Sequence, residues 1–453
     1  MKKNLVLIAL VLCSLQMAYA SITNTNQSAI FIRMPSRNAT TDIDAVYFNP
    51  AGLTHLSDGW HLSLHNQSIF QEKTVINEFP FLNNDTYVGE VDVPIFPNLY
   101  IVFKKEKLAL SFGFGVNSGG GSADFLSGLP SFEIPIASLP AGLTAMGLPT
   151  TMYSADMEFI GSSIFSGLQF NVSYALSDAF SIAAGIRYII AANKYTGFIE
   201  NIMINPAHPL ANPTAAMIPA VSFFTAAGLP TYAAMVSDKE VEAKQEGTGF
   251  TPILSMHVKP VDNLNIGIKY EFNTKLELEN VTTTDDTGLF PDGVKSRNDI
   301  QAILSFGIEY ALMPEFRASF SYNTFFDKNA DWDGREETVD SNEYNLGFGI
   351  EVDVSPSITL SAGFQRAALS LTDAYQSDLD NDLSSNSYHA GAQLKLSKTL
   401  DVDIGFLKAV YTDASKMIPY TNFGTFQETY QRSTWAIAVG FTFHPANNAE
   451  SGE

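Results

Sequence analysis

The run Trp435-Ala436-Ile437-Ala438-Val439-Gly440-Phe441-Thr442-Phe443-His444 decides the fold. Side chains alternate along an extended chain, so Trp435, Ile437, Val439, Phe441 and Phe443 share one face, with Ala436, Ala438, Gly440, Thr442 and His444 on the other. One face is large and apolar; the other is small or weakly polar. Leu264, Ile266, Ile268, Tyr270 and Phe272 alternate in the same way with Asn265, Gly267, Lys269, Glu271 and Asn273, and Tyr344, Leu346, Phe348, Ile350 and Val352 repeat the pattern. A soluble sandwich also alternates, but its water-facing side holds more Lys and Glu than these glycines, serines and alanines. Strands with lipid on one side and a lumen on the other give this pattern.

Composition points the same way. Charged residues make up 16% of the chain and aromatics 12%, and no stretch after the first twenty residues reads as a helical span, which needs about 20 apolar residues. The chain starts with Lys2 and Lys3, an apolar run from Leu5 to Leu15, and Ala18-Tyr19-Ala20 before Ser21. This is the pattern of a secretory leader cleaved after Ala20. The single cysteine, Cys13, lies inside it, so no disulfide is expected in the exported chain. Loss of the two lysines makes the formal charge of −22 two units more negative, which argues against a nucleic-acid partner.

Turn signals alternate short and long, as in membrane barrels. Short connections fall at Lys104 to Lys107, Leu176 to Ala179, Val261 to Leu264, Met313 to Glu315, Ser355 to Ser357 and Ser397 to Thr399. Strand starts near Trp60, Asn98, Leu108, Phe159, Phe180, Gly249, Leu264, Ile300, Phe316, Glu343, Ile358, Ser387, Leu400 and Ser433 give an all-β transmembrane antiparallel barrel of about 14 strands. The expected division is a leader at 1–20, an N-terminal plug (hatch) inside the lumen at 21–58, the barrel at 59–445 and a tail at 446–453. Both barrel termini then share the periplasmic side of a Gram-negative outer membrane.

Two long loops stand out. Asn201 to Ser237 has no charged residue and includes Met217, Phe223, Phe224 and Met235, but its five prolines forbid one continuous helix. Phe125 to Tyr153 is similar, with a single charge at Glu133. Such loops either cap the barrel mouth or collect hydrophobic molecules. By alternation, Arg187, Lys269 and Arg317 point into the lumen. Glu271, Glu309 and Asp403 are available as partners, so these cations form either a ligand site or a lumen salt-bridge network.

Other motifs carry little. Asn329-x-Asp331-x-Asp333-Gly334 with Asp340 departs from a calcium loop at its first and last positions. Gly119-Gly120-Gly121 lacks the lysine of a phosphate loop and reads as a flexible loop. The histidines are scattered without metal-binding spacing, and there is no Gly-x-Ser-x-Gly elbow. Neither an enzyme nor a cofactor or metal is expected.

At Asp44-Ala45-Val46-Tyr47-Phe48-Asn49-Pro50-Ala51-Gly52-Leu53, just before the first strand, the chain resembles the FadL/OmpP1/TodX family of outer-membrane transporters. The resemblance implies a fourteen-stranded barrel whose N-terminal hatch contains the Asn-Pro-Ala element, here Asn49, Pro50 and Ala51. It implies passage of long-chain fatty acids or aromatic hydrocarbons, with a kinked wall strand as the exit; Gly113 and Gly115 are the expected kink. Where the family has a glycine-alanine-glycine stretch, this chain has Arg37-Asn38-Ala39-Thr40-Thr41. The resulting expectation is a monomeric, passive transporter whose partners are a hydrophobic small molecule and outer-membrane lipid. The alternative is a polar porin or a surface-adhesion barrel.

Overall fold

The computed structural model describes residues 23–209 and 212–445; the leader with its cleavage point at Ala20, Leu210 and the tail from 446 to 453 lie outside the described residues. Fourteen strands form the wall. They are β1 (Gly59–Asn77), β2 (Thr86–Lys105), β3 (Leu108–Phe125), β4 (Tyr153–Ser177), β5 (Phe180–Ile204), β6 (Lys239–Val261) and β7 (Leu264–Glu271, continued by Glu277–Asp285). Then follow β8 (Ile303–Met313, preceded by Lys295–Arg297), β9 (Phe316–Phe325), β10 (Val339–Ser355), β11 (Ile358–Leu371), β12 (Ser385–Ser397), β13 (Leu400–Tyr411, continued by Ala414–Tyr420) and β14 (Gly424–Phe443). Each strand pairs antiparallel with the next, and β1 pairs with β14 from Leu62↔Phe443 to Asn77↔Glu428, which closes the ring.

The alternation sorts into two faces. Leu64 is 52% exposed and Phe170 54%, while their neighbours Ser63 and Gln169 are 0% and 3% exposed. Large apolar side chains therefore face outward around the ring and polar ones inward, the inverse of a water-soluble protein and the arrangement of a lipid-embedded barrel. The short turns lie where expected, at one end, together with the start of β1 and the finish of β14.

The strands are longer at the other end than the apolar pattern indicates. β4 and β5 each have 25 residues, whereas crossing a bilayer takes about 9–11. Starts expected at Asn98, Phe159, Gly249 and Ser433 are found at Thr86, Tyr153, Lys239 and Gly424. The added segments alternate charged with buried residues, as in Glu240-Val241-Glu242-Ala243-Lys244-Gln245-Glu246. They stand in water on their outer face, so a lipid-facing signature does not reveal them.

The two uncharged loops fold into helical pairs, α3 (Pro130–Ala137) with α4 (Leu139–Ala145), and α5 (Ala220–Ala226) with α6 (Pro230–Met235). Prolines start or interrupt these helices and keep them short. Ile134, Leu139, Leu143, Phe224, Tyr232 and Val236 pack in one core with Phe79 from the β1–β2 loop. The lone loop charge has a structural reason: the Glu133 carboxylate accepts the hydroxyls of Tyr87 and Tyr153, each at 2.5 Å. Replacing Glu133 by Leu strands two buried phenols, at a cost of about 1–3 kcal/mol each. Limited proteolysis is expected to cut residues 126–152 of Glu133→Leu several-fold faster than wild type, with the folded barrel band on unheated gels unchanged.

Candidate functional site

The chain before β1 lies within the ring, because its partners come from inward faces around the whole circumference. It contains α1 (Ala29–Arg33), α2 (Ala45–Phe48) and a 3-10 helix, Pro50–His55. Ser181 on β5 donates to the Ala51 carbonyl at 2.7 Å, Lys269 on β7 to the Tyr47 carbonyl at 2.8 Å, and Ser173 on β4 to the Pro50 carbonyl at 2.7 Å. His389 on β12 bonds the Ile32 carbonyl at 3.1 Å. The wall makes room with glycines: a Cβ on Gly267 would sit 2.0 Å from the Asn38 carbonyl oxygen, one on Gly391 2.5 Å from Arg33 Cβ, and one on Gly405 2.7 Å from Arg33 N.

The Asn49 to Leu53 motif forms the lower end of this segment. Pro50 opens the 3-10 helix, where its missing donor is harmless. Asn49 donates to the Thr40 carbonyl at 3.0 Å and bonds His257 at 2.9 Å. Gly52 admits no side chain, because a Cβ would lie 2.4 Å from the Thr40 carbonyl oxygen. Leu53 is fully buried with Val46, Phe48 and Val102. The residues that replace the family's small stretch create a charge cluster: Arg37 pairs with Asp44 at 2.8 Å and Asp42 at 2.7 Å. Arg33 pairs with Asp403 at 2.8 Å and with Glu351.

The wall is interrupted beside this segment. β2 and β3 pair from Lys105↔Leu108 to Leu99↔Phe114 and meet again at Glu90↔Asp124, with no rungs between. Pro94 and Pro97 lie on the β2 side of the gap, where they cannot donate to a ladder. On the β3 side the ladder to β4 shifts between Val116 and Ser118 and again between Gly119 and Gly121. Gly119 has φ +64 and Gly120 φ +127, values that only glycine adopts readily. The carbonyls released by β3 are taken by the N-terminal segment: Asn24 donates its backbone N–H to Asn117 O at 2.7 Å and its side-chain amide to Gly119 O at 2.7 Å, and Gln27 donates to Val116 O at 2.7 Å.

Above the segment lies a chamber of about 480 Å³, whose lining includes Asp378–Leu383 of the β11–β12 loop. Val91, Val93, Phe96, Phe125, Phe159 and Phe165 make one side apolar. Lys73, Asn298, Glu343, Asn345, Gln365 and Arg432 make the other polar. The apolar side includes the interrupted stretch itself, through Val91, Val93, Phe96 and Gly119 to Gly121.

The expected cations do not line this chamber. Arg187 and Lys269 are committed to Glu271 at 2.6 and 2.5 Å and flank the Tyr47 ring at 4.7 and 4.5 Å. Arg317 pairs with Glu351 at 3.3 Å and Asp353 at 3.0 Å, low in the barrel. A buried cation with a carboxylate in reach takes it, and alternation gives the face but not the depth. Phe224 is buried in the cap, Phe223 packs on it, and Met217 and Met235 are half-buried in the same outer loop; none reaches the chamber. Gly113 and Gly115 are not the kink, since both sit in regular rungs with β4; instead they make room for Val46 and Gln27. The kink is Asn117 to Gly121, where Gly119-Gly120-Gly121 is strand and not the flexible loop expected. Proline pairs opposite a glycine triplet were the signal for it. Asp331 and Asp333 hold Arg297, and no calcium-type cluster exists among the described residues.

The toluene transporter TodX of P. putida superposes with a TM-score of 0.59 at 14% identity, covering 92% of this chain and 98% of that one. The Ralstonia pickettii toluene transporter TbuX gives 0.57 at 14%, covering 92% and 98%. A Pseudomonas aeruginosa FadL homologue gives 0.59 at 13%, covering 94% and 99%. No protein-family profile and no curated relative matches the chain. The resemblance read from Asn49 to Leu53 thus holds for the fold over 92–94% of the chain. Arg33→Met leaves Asp403 buried without a cation and Glu351 with Arg317 alone, a loss of about 3–5 kcal/mol. Planar-bilayer recordings are expected to show low ion conductance for wild type and a clear rise for Arg33→Met as the segment loosens.

Proposed function

We propose that this barrel, which has the fold of the FadL/OmpP1/TodX transporters, is exported to the outer membrane and carries hydrophobic compounds across it passively. The apolar cap receives the molecule, the chamber holds it, and the N-terminal segment acts as the plug. The exit runs sideways between β2 and β3 into the bilayer. The observation that carries this reading is that the apolar side of the chamber is the same stretch at which the wall lacks rungs. Downward, the route meets Arg33, Arg37, Asp44 and Asp403, all buried and paired, which an apolar molecule cannot solvate.

The plug and the exit are one device in this reading. Asn24 and Gln27 satisfy the β3 carbonyls, so a shift of residues 24–27 releases the bonds that bridge the gap. Two of the similar solved structures are described as toluene transporters, which makes an aromatic hydrocarbon the first cargo to test.

The route is testable by a removable bolt. Val93 faces Gly121 across the gap, with an ideal Gly121 Cβ 2.6 Å from Val93 Cγ2, and the only native cysteine is Cys13. Cells carrying Val93→Cys with Gly121→Cys are expected to take up toluene at least five-fold more slowly when oxidised than after mild reduction. Equal uptake in both states, with the bond shown to form, would falsify the sideways route.

A further inference from the structure

Beside the chamber lies a second, smaller space whose chemistry is specific. It measures about 20 Å³ and shares Glu343, Leu369 and Asp382 with the chamber, room for about one water-sized group. Three carboxylates line it, Asp327, Glu343 and Asp382, together with Trp332, Tyr375 and Gln301. All six residues are more than nine-tenths buried.

The hydrogen bonds leave this niche short of donors. Asp327 accepts the Glu343 backbone N–H at 2.7 Å. Asp382 accepts the Tyr375 hydroxyl at 3.0 Å and faces Arg432 at 3.6 Å. Gln301 Oε1 is buried with no donor. The Glu343 side chain lines both spaces and forms no hydrogen bond or ion pair among the described residues. A buried carboxylate without a cation is costly. Burial pushes the Asp327 carboxyl up to about 6. Arg335, stacked on Tyr375 at 3.8 Å, is already committed to Asp380 at 2.6 Å. The carboxylates do not converge as a metal site requires among the described residues.

We infer that the niche anchors the ammonium group of an amphiphilic cargo, an aryl- or alkyl-amine whose apolar body extends past Leu369, which lines both spaces, into the chamber. An ammonium supplies three donors, fits a water-sized space, and is attracted by Glu343, beside an aromatic lining residue, Trp332. The inference rests on the transport reading and deepens it by naming the head group. Lys73 and Arg432 also line the chamber, so a carboxylate head held by Lys73 is the competing outcome.

The test uses the full chain in detergent with three soluble probes of one shape: 2-phenylethylamine, 2-phenylethanol and 3-phenylpropanoate. Binding is followed by calorimetry and by tryptophan fluorescence, which Trp332 reports. The amine is expected to bind at least ten-fold more tightly than the carboxylate at neutral pH. Glu343→Gln is expected to cost the amine about ten-fold, which is about 1.4 kcal/mol, while leaving the alcohol unchanged. Unchanged alcohol binding also shows that the variant is folded. Tighter binding of 3-phenylpropanoate, lost in Lys73→Met, overturns the inference, as does an amine affinity equal to that of the alcohol in both wild type and Glu343→Gln. If none of the three binds, both the inference and the hydrophobic-transport reading fail. If the amine binds as expected but the oxidised cysteine pair does not slow uptake, only the sideways route fails.

Discussion

Inside a bilayer a backbone carbonyl or amide has no water to turn to, and each must find its partner within the protein. A closed antiparallel ring meets this demand with its own rungs, so the chain follows the rule almost everywhere. The exception between β2 and β3 is where the structure becomes informative. There the rungs are missing, and Asn24 and Gln27 take over the bonds from inside the ring. The N-terminal segment is thus part of the wall's hydrogen bonding as well as an occupant of the lumen.

This dual role explains the depth of its anchoring. Arg33 and Arg37 are almost wholly buried, and they are held by Glu351, Asp403 and Asp44. Ion pairs of this kind contribute little net stability, but removing one partner is expensive. They specify position more than they stabilise. The inward glycines, Gly267, Gly391 and Gly405 among them, let the segment's backbone touch the wall. Polar registration below and a chamber above, apolar on one side and polar on the other, divide the lumen into a fixed floor and an open space.

Much of the ring was legible in the sequence. Alternation at Trp435 to Phe443, the six short turns and the even strand count follow from geometry that leaves a period in the chain. The Asn49 to Leu53 turn was legible too, because Pro50 and Gly52 are demanded locally. The upper halves of β2, β4, β6 and β14 were not, since water on their outer face erases the lipid-facing signal. Nor was the site. Glu343, Lys73, Val93 and Gly120 lie far apart in sequence and meet only through closure of the ring, whereas Arg187 and Lys269 looked like ligand residues because alternation says nothing of what already neutralises them.

The paired floor has a consequence for the cell that owns such a barrel. An open pore cannot admit a foodstuff without also admitting every small hydrophilic toxin of similar girth. On the proposed route, with Arg33 paired to Glu351 and Asp403 below and β2 parted from β3 at the side, admission would be sorted by solubility and not by size. A barrel working in that way would give oily molecules a doorway without opening an aqueous pore through the envelope.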